Sequence, residues 1–377
     1  MVERCRRVAL QMHRLAVANP TGVHRYATEL ARALSDTAPT GSEVELWYGA
    51  TAAADPAPGG VTARTWPVHR RLLHASWMAF RRPLAERYLG DVSIVHSLTP
   101  AVPVPTRAPL VVTVHDVMTE QHPEWYTPFA RTVVGAALRH AALHASRIIT
   151  PSQAVAGDVR AVLGVEPARL VVVPEGVDER FRLPVPPAEQ ERVCGRFGLD
   201  PGGYVVAVGE VGPRKNLALL VEALAQLPPA GRLTLAVVGG DGGSAAELRE
   251  RAQARGISAD VRWTGRVDDD VLLALLAGAR ALVHPSRYEG FGLTPLEAMA
   301  AGVPVLAGSV GAVPEVVGDA GMLLDPGDTS AWAAALATIA SDDGVAGDLA
   351  ERGVTRAGAF SWGRTAAETW AVYDVLS

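Results

Sequence analysis

Glu289-Gly290-Phe291-Gly292-Leu293-Thr294-Pro295-Leu296-Glu297-Ala298-Met299-Ala300-Ala301-Gly302 is the stretch on which the reading of the fold turns. Two carboxylates, Glu289 and Glu297, stand eight residues apart. Between them lies a short loop, with Gly290 and Gly292, that runs into a helix. The glycines permit positive φ and a close approach of the backbone to a ligand. Thr294 is a good capping residue, and Pro295 suits the first helical position, where an N–H would be unsatisfied anyway. Free N–H groups at a helix start favour an anion, so the segment reads as a phosphate cradle with a carboxylate on each side. The same residues also read as a capping box, in which Glu297 only closes the helix end by reaching back to Thr294. The place of the stretch after an apolar strand, Ala281 to His284, favours the cradle.

Taken with Ser286-Arg287-Tyr288 before it and Val303-Pro304-Val305 after it, the stretch resembles the Glu-x7-Glu signature of retaining glycosyltransferases. These have the two-domain GT-B fold, and the resemblance is to glycosyltransferase family 4, mannosyltransferase-like. It implies an α/β protein of two Rossmann-like domains facing a central cleft. The expected domains are 1–183, acceptor-side, and 184–360, nucleotide-sugar-binding, with a last helix, 361–377, crossing back onto the first.

Composition agrees with two soluble domains. The chain has 377 residues, about half of them apolar and a fifth charged. No apolar run reaches the ~18 residues of a membrane span. The basic start, Met1 to Arg7, has no apolar signal-peptide region behind it. Cys5 and Cys194 are too few for a disulfide framework. A cytoplasmic protein is expected. Residues 1–183 hold 20 basic against 16 acidic groups, and residues 184–377 hold 15 against 24. The basic first half would suit an anionic partner or be merely a solvated surface. Of the 35 basic residues one is lysine, Lys215. Arginine has replaced lysine wherever a generic charge sufficed, which marks Lys215 as functional.

In the first half, Val8 to Met12 reads as a strand. The loop Asn19-Pro20-Thr21-Gly22-Val23 and a helix from His24 to Leu34 follow, the opening of a Rossmann-like half. Leu110 to His115 is a buried strand that ends in His115-Asp116, where open α/β sheets bind ligands. His122, Glu124 and Trp125 come soon after and fit an acceptor site. Arg70 to Tyr88 interleaves five arginines with Leu72, Leu73, Trp77, Met78 and Phe80. It reads either as a basic amphipathic helix for a membrane surface or anionic acceptor, or as a surface helix with its apolar face on its own core. Pro184, Pro186 and Pro187 mark the interdomain linker.

In the second half, Tyr204 to Gly209 is a strand, and Arg214 and Lys215 sit in the loop before the next helix. Two cations there suit a diphosphate. Asp268-Asp269-Asp270 contains an Asp-x-Asp, which holds a metal in other glycosyltransferase folds. Here it opens a helix, and N-cap and dipole roles account for it. No metal or other cofactor is expected.

The resemblance implies the remaining roles. His115 and Glu289 are the expected catalytic residues, with His115 against the transferred sugar. Gly22, Arg214, Lys215, Phe291, Gly292, Leu293 and Thr294 would hold the donor diphosphate. Val267 and Glu297 would hold the nucleoside. The family usually has Asn where Glu175 stands. Some relatives carry an arginine directly after the strand glycine, where Glu210 stands here. The expected reaction is metal-independent, retaining transfer of a hexosyl group from a nucleotide-diphosphate sugar, GDP-mannose favoured. The acceptor would be a hydroxyl on a glycan, lipid-linked or small molecule. No nucleic acid partner is expected, and a peripheral contact at the inner membrane face follows if the 70–88 segment binds lipid. The alternatives are a GT-B nucleotide-sugar epimerase and a non-catalytic sugar-nucleotide binding module. A dehydrogenase is disfavoured by the missing Gly-x-Gly-x-x-Gly after the first strand.

Overall fold

The computed structural model describes residues 6–12, 22–50, 60–100, 102 and 104–376, and every count below refers to these. The chain divides into two compact units, Met1–Gly176 with Ser361–Ser377, and Val177–Phe360. The division falls at Gly176 because Val177 and Phe181 are buried among the apolar residues of the second unit.

The first unit is built on strands β1 Arg7–Met12, β2 Glu43–Ala50, β3 Thr62–His69, β4 Ile94–Ser97, β5 Leu110–Thr113, β6 Arg147–Thr150 and β7 Leu170–Val172. All pairings are parallel, in the order β3-β2-β1-β4-β5-β6-β7. A parallel sheet covered on both faces needs apolar residues at successive positions, because neighbours point to opposite sides. Along β1, Val8, Leu10 and Met12 enter the cluster holding Tyr26, Leu30 and Trp370. Ala9 enters the other cluster, with Trp47, Trp66 and Trp77. The helix Trp362–Asp374 belongs to this unit. Ser361 caps it by accepting from the Arg364 N–H at 3.2 Å. Its stripe of Trp362, Ala366, Trp370 and Tyr373 has helical spacing and is buried in the first of these cores.

The second unit carries β8 Tyr204–Val208, β9 Thr234–Val238, β10 Val261–Gly265, β11 Ala281–His284, β12 Val305–Gly308 and β13 Met322–Leu324. They are parallel in the order β10-β9-β8-β11-β12-β13. Again alternate residues serve two cores: Tyr204 and Val206 one, Val205 and Ala207 the other. The strand order reverses direction between β8 and β11, which opens a crevice beyond their C-terminal ends.

Three sequence expectations are corrected. The helix expected over 70–88 stops at Phe80, and a short second helix spans Glu86–Leu89. Pro83 lies between them and has no N–H to continue a helix. Leu73 and Trp77 face the core, whereas Leu72 and Phe80 are exposed. The linker prolines do not all lie in irregular chain, since Pro187 opens a helix, Pro187–Gly195, as its first residue. The strand expected to reach His115 ends at Thr113. Asn19, Pro20 and Thr21 lie outside the described residues, and Gly22 begins the helix Gly22–Asp36.

Gly176 is where the first unit meets its own returning end. A Cβ on Gly176 would lie 2.3 Å from the Trp362 nitrogen and 2.5 Å from the Ser361 carbonyl carbon. Backbone cannot yield as a side-chain tip does. Gly176→Ala is therefore expected to destabilise the protein by about 1–3 kcal/mol, read as a lower urea midpoint; an unchanged midpoint would mean this packing is not a constraint.

Candidate active site

Two loops build the main constellation, one after β8 and one after β11, on either side of the switch point. After β8 the chain turns through Gly209, at φ +135°, a conformation suited to glycine. A Cβ there would lie 2.8 Å from the Lys215 Cε. Pro213–Lys215 forms one 3-10 turn, and Asn216, at φ +55°, leads into the helix Leu217–Ala225. The buried Asn216 amide pins this turn by donating to the Pro285 carbonyl at 3.1 Å and the Pro326 carbonyl at 2.9 Å.

The turn delivers Arg214 and Lys215 to one oxygen of Glu289. Glu289 Oε1 accepts from Arg214 Nη1 at 2.6 Å, Lys215 Nζ at 2.8 Å, Ser286 Oγ at 2.9 Å and His284 Nε2 at 3.0 Å. Arg214 Nη1 also donates to the Tyr288 carbonyl at 3.1 Å. Burial alone would raise the Glu289 pKa. The charges of Lys215 and Arg214 and the His284 bond outweigh it and hold the carboxyl well below its ordinary value. Burial, with Lys215 nearby, pushes His284 down, so its neutral ring donates through Nε2. Burial, with the Arg214 charge nearby, lowers the Lys215 pKa, against the charges of Glu289 and Glu297, which favour its ammonium form. The Glu289 backbone is clasped as well. Ala312 N donates to its carbonyl at 3.0 Å, and Gly311, at φ +52°, passes so close that a Cβ would sit 2.3 Å from that oxygen.

The helix after this loop starts two residues earlier than expected. It spans Leu293–Ala300, and Gly292 is its N-cap at φ +109°, ψ +48°. Leu296 N donates to the Gly292 carbonyl at 3.1 Å as the first helical bond. Glycine can enter a helix from the left-handed region, so it displaces Thr294 from the cap. Thr294 becomes the second helical residue and Pro295 the third, still within the first turn where a missing N–H costs nothing. The capping-box reading of Thr294 and Glu297 gives way with it. Glu297 lies one turn further in and is buried, close enough for its charge to act on Lys215. Phe291 turns its ring into the core against Phe360, with centroids 6.0 Å apart. Its backbone, with that of Gly292, Leu293 and Thr294, forms the helix entry.

The other expected residues are placed separately. Val267 follows β10, packed against the core. Beside it Arg266 pairs with Glu210 at 3.1 Å. Asp269 is held by Arg180 at 3.0 Å, and Asp268 is the N-cap residue of the helix Asp269–Ala277. Gly22 and His115 belong to the first unit. His115, just past β5, is buried, with Nδ1 3.3 Å from Glu175 Oε1 and Nε2 3.1 Å from the Leu98 carbonyl. The structure thus brings Arg214, Lys215 and Glu289 together. It adds His284 and Ser286, which the sequence reading left in a strand and a motif. A histidine at a strand's C-terminal end was the available signal, as it was for His115.

Residues 20–181 match the family described as Glycosyltransferase Family 4, and residues 199–356 match Glycosyl transferases group 1. O-antigen chain mannosyltransferase B of Escherichia coli is 32% identical over 271 residues, covering 71% of this chain and 70% of that protein. D-inositol 3-phosphate glycosyltransferase of Salinispora arenicola is 31% identical over 406 aligned residues, covering 96% and 89%. Among solved structures, Anabaena HepE in complex with UDP and glucose superposes with a TM-score of 0.79 at 20% identity, over 98% of this chain and 100% of that one. Sucrose-phosphate synthase of Thermosynechococcus elongatus gives 0.77 at 23%, over 98% and 99%. These likenesses show the fold, two parallel-sheet α/β units of the GT-B type. Among the described residues, no helix is long and apolar enough to cross a membrane.

A depressed carboxylate pKa carries a stability signature. Glu289 titrates lower in the folded chain than when unfolded, so its contribution is present above the ordinary carboxyl value, near 4.5, and is lost as pH falls toward the folded value. Glu289→Gln leaves two cations without their counter-charge. It is expected to cost roughly 3–5 kcal/mol at neutral pH and to make the loss of stability on acidification shallower, both read by urea denaturation at a series of pH values.

Proposed function

The chain belongs to glycosyltransferase family 4 and is a glycosyltransferase, and on that premise we propose that it transfers a hexosyl group from a nucleotide-diphosphate sugar to an acceptor hydroxyl, with retention and without a metal. The observation that carries this reading is the convergence of Arg214, Lys215 and Glu289 beyond the β8–β11 switch point. The diphosphate draws on Arg214 and Lys215 and on the N–H groups of Phe291, Gly292, Leu293 and Thr294. Cations and helix dipole together offset the charge that builds on the leaving oxygen. Sharing the cations with phosphate leaves Glu289 able to accept from sugar hydroxyls. Its charge then favours the positive, oxocarbenium-like transition state. The bond from the sugar's anomeric carbon to the phosphate oxygen breaks, the bond to the acceptor oxygen forms on the same face, and the acceptor's proton passes to the leaving phosphate.

In this reading Glu297 takes the ribose hydroxyls, Val267 holds the base through its backbone, Gly22 admits the diphosphate closely and His115 meets the transferred sugar. GDP-mannose is the favoured donor, in keeping with mannosyltransferases among the relatives, including the MMP alpha-(1->4)-mannosyltransferase of Mycolicibacterium hassiacum. The peripheral membrane contact is part of the proposal too. It rests on exposed Leu72 and Phe80 near exposed Arg81, Arg82 and Arg87.

Two measurements test it. Lys215→Ala is expected to lower transfer by at least ~100-fold, the loss typical of one aimed charge; near-normal turnover would remove the phosphate role. In a thermal-shift panel of GDP, UDP, dTDP and ADP, with and without EDTA, GDP is expected to raise the melting temperature most, and EDTA to leave that shift intact. A shift confined to UDP or dTDP would replace the donor, and loss of the shift in EDTA would overturn metal independence.

A further inference from the structure

The surroundings of His115 hold two acceptors. Its Nε2 lies 3.1 Å from the Leu98 carbonyl oxygen, which carries no proton. Its Nδ1 lies 3.3 Å from Glu175 Oε1. Glu175 is 4% exposed. A neutral imidazole has one N–H and one bare nitrogen. Either neutral tautomer would turn a lone pair toward an acceptor, unless the proton sat on Glu175 instead.

The neighbouring groups decide between the two placements. Asp116, the next residue, adds negative potential at the ring. The Tyr26 ring, from the helix Gly22–Asp36, stands edge-to-face with the imidazole, with centroids 4.6 Å apart at 82°. From β4, His96 is the nearby second histidine. Burial, with His115 nearby, pushes it down to about 3, so it stays neutral. Its nitrogens are taken up by Tyr373 Oη at 2.6 Å, from the last helix, and Thr113 Oγ1 at 2.9 Å, from β5. Tyr26 Oη meets the same threonine at 2.9 Å, and burial keeps both tyrosines protonated. The charges of Glu175 and Asp116 at His115 are negative.

We propose that Glu175 is a positioning residue that holds His115 as an imidazolium, with a proton on each ring nitrogen, so that His115 acts as a fixed donor and never as a base. Burial opposes the charge, but the bond and charge of Glu175, the Leu98 carbonyl and Asp116 outweigh it and raise the His115 pKa above its ordinary value. An Asn at 175 could meet the ring but could not supply the charge. For transfer, the consequence is that His115, with both nitrogens protonated, takes no proton from the acceptor. That consequence rests on the proposed function, whereas the charge of the ring does not.

The test uses the whole chain labelled with 15N at histidine, with the His115 signals identified by their loss in His115→Asn. Long-range proton–nitrogen spectra read the protonation of each ring nitrogen across a pH series. Both nitrogens of His115 are expected to be protonated at neutral pH. In Glu175→Gln one becomes bare, and the midpoint falls by roughly one to three pH units, the usual effect of losing one close opposite charge. A bare nitrogen in the unmutated chain at neutral pH, or an unmoved midpoint in the variant, would overturn the proposal. If Glu175→Gln does not fold, Glu175→Asn gives the same readout. The alkaline limb of the transfer rate should move down by the same interval. A moved spectrum in a chain that shows no transfer would count against the proposed function and leave the assignment of charge standing.

Discussion

A charged carboxylate can stay buried only if the chain surrounds it with donors, and Glu289 imposes that demand on the second unit. Its Oε1 takes hydrogen bonds from an arginine, a lysine, a serine and a histidine, drawn from the loops after β8 and β11. Each desolvated charge would cost several kcal/mol alone. Together they are tolerable, provided the loops are held in register. That requirement explains the local glycines. Gly239, with a would-be Cβ 1.9 Å from the Gly209 carbonyl, lets the chain after β9 close against the chain after β8. Gly209 leaves room for the Lys215 stem, and Gly311 lets a third loop close on the Glu289 backbone. The cluster is thus held together by the protein's own donors and by close backbone contacts.

The first unit solves a related problem with a different residue. His115 stands past the end of β5, as Glu289 stands past the end of β11; His115 is buried and Glu289 largely so, each with partners that act on its protonation. Glu175 does for His115 what Lys215 and Arg214 do for Glu289. Behind His115 the polar side chains continue inward, Tyr26 to Thr113 to His96 to Tyr373. Tyr373 lies on the helix Trp362–Asp374, so the far end of the chain helps to fix the surroundings of a residue near its first third. The close approach of Gly176 to Ser361 and Trp362 belongs to the same arrangement.

Much of this was legible in one dimension. Strands such as Arg147–Thr150 and the Ser152-capped helix Gln153–Leu163 declare themselves through apolar runs and capping chemistry. Lys215 stood out as the one lysine among 35 basic residues, and the structure gives it a buried counter-charge. Elsewhere local rules competed. Thr294 and Gly292 both suit a helix start, and a rule that ranks side-chain caps picks the threonine. The glycine won because the loop arrives in the left-handed region, which is set by how β11 and the helix pack. Residues 70–88 have a continuous amphipathic look, yet Pro83 interrupts the hydrogen-bond ladder.

The partners of the site residues were less legible still. Ser286 and His284 are close to Glu289 in the chain, but nothing in their spacing says that all three meet at one oxygen. Glu175 lies 60 positions from His115 and read only as an odd residue near a hinge. What the sequence determined by itself is the pair of parallel-sheet units, the family and the residue types at the strand ends, because these follow from periodicity, composition and a short dense motif. What the tertiary structure alone decided is which donor meets which acceptor, and so the charge each group carries. Protonation depends on burial and on neighbours a few ångströms away, and those neighbours come from loops the sheet brings together, not from adjacent positions in the chain.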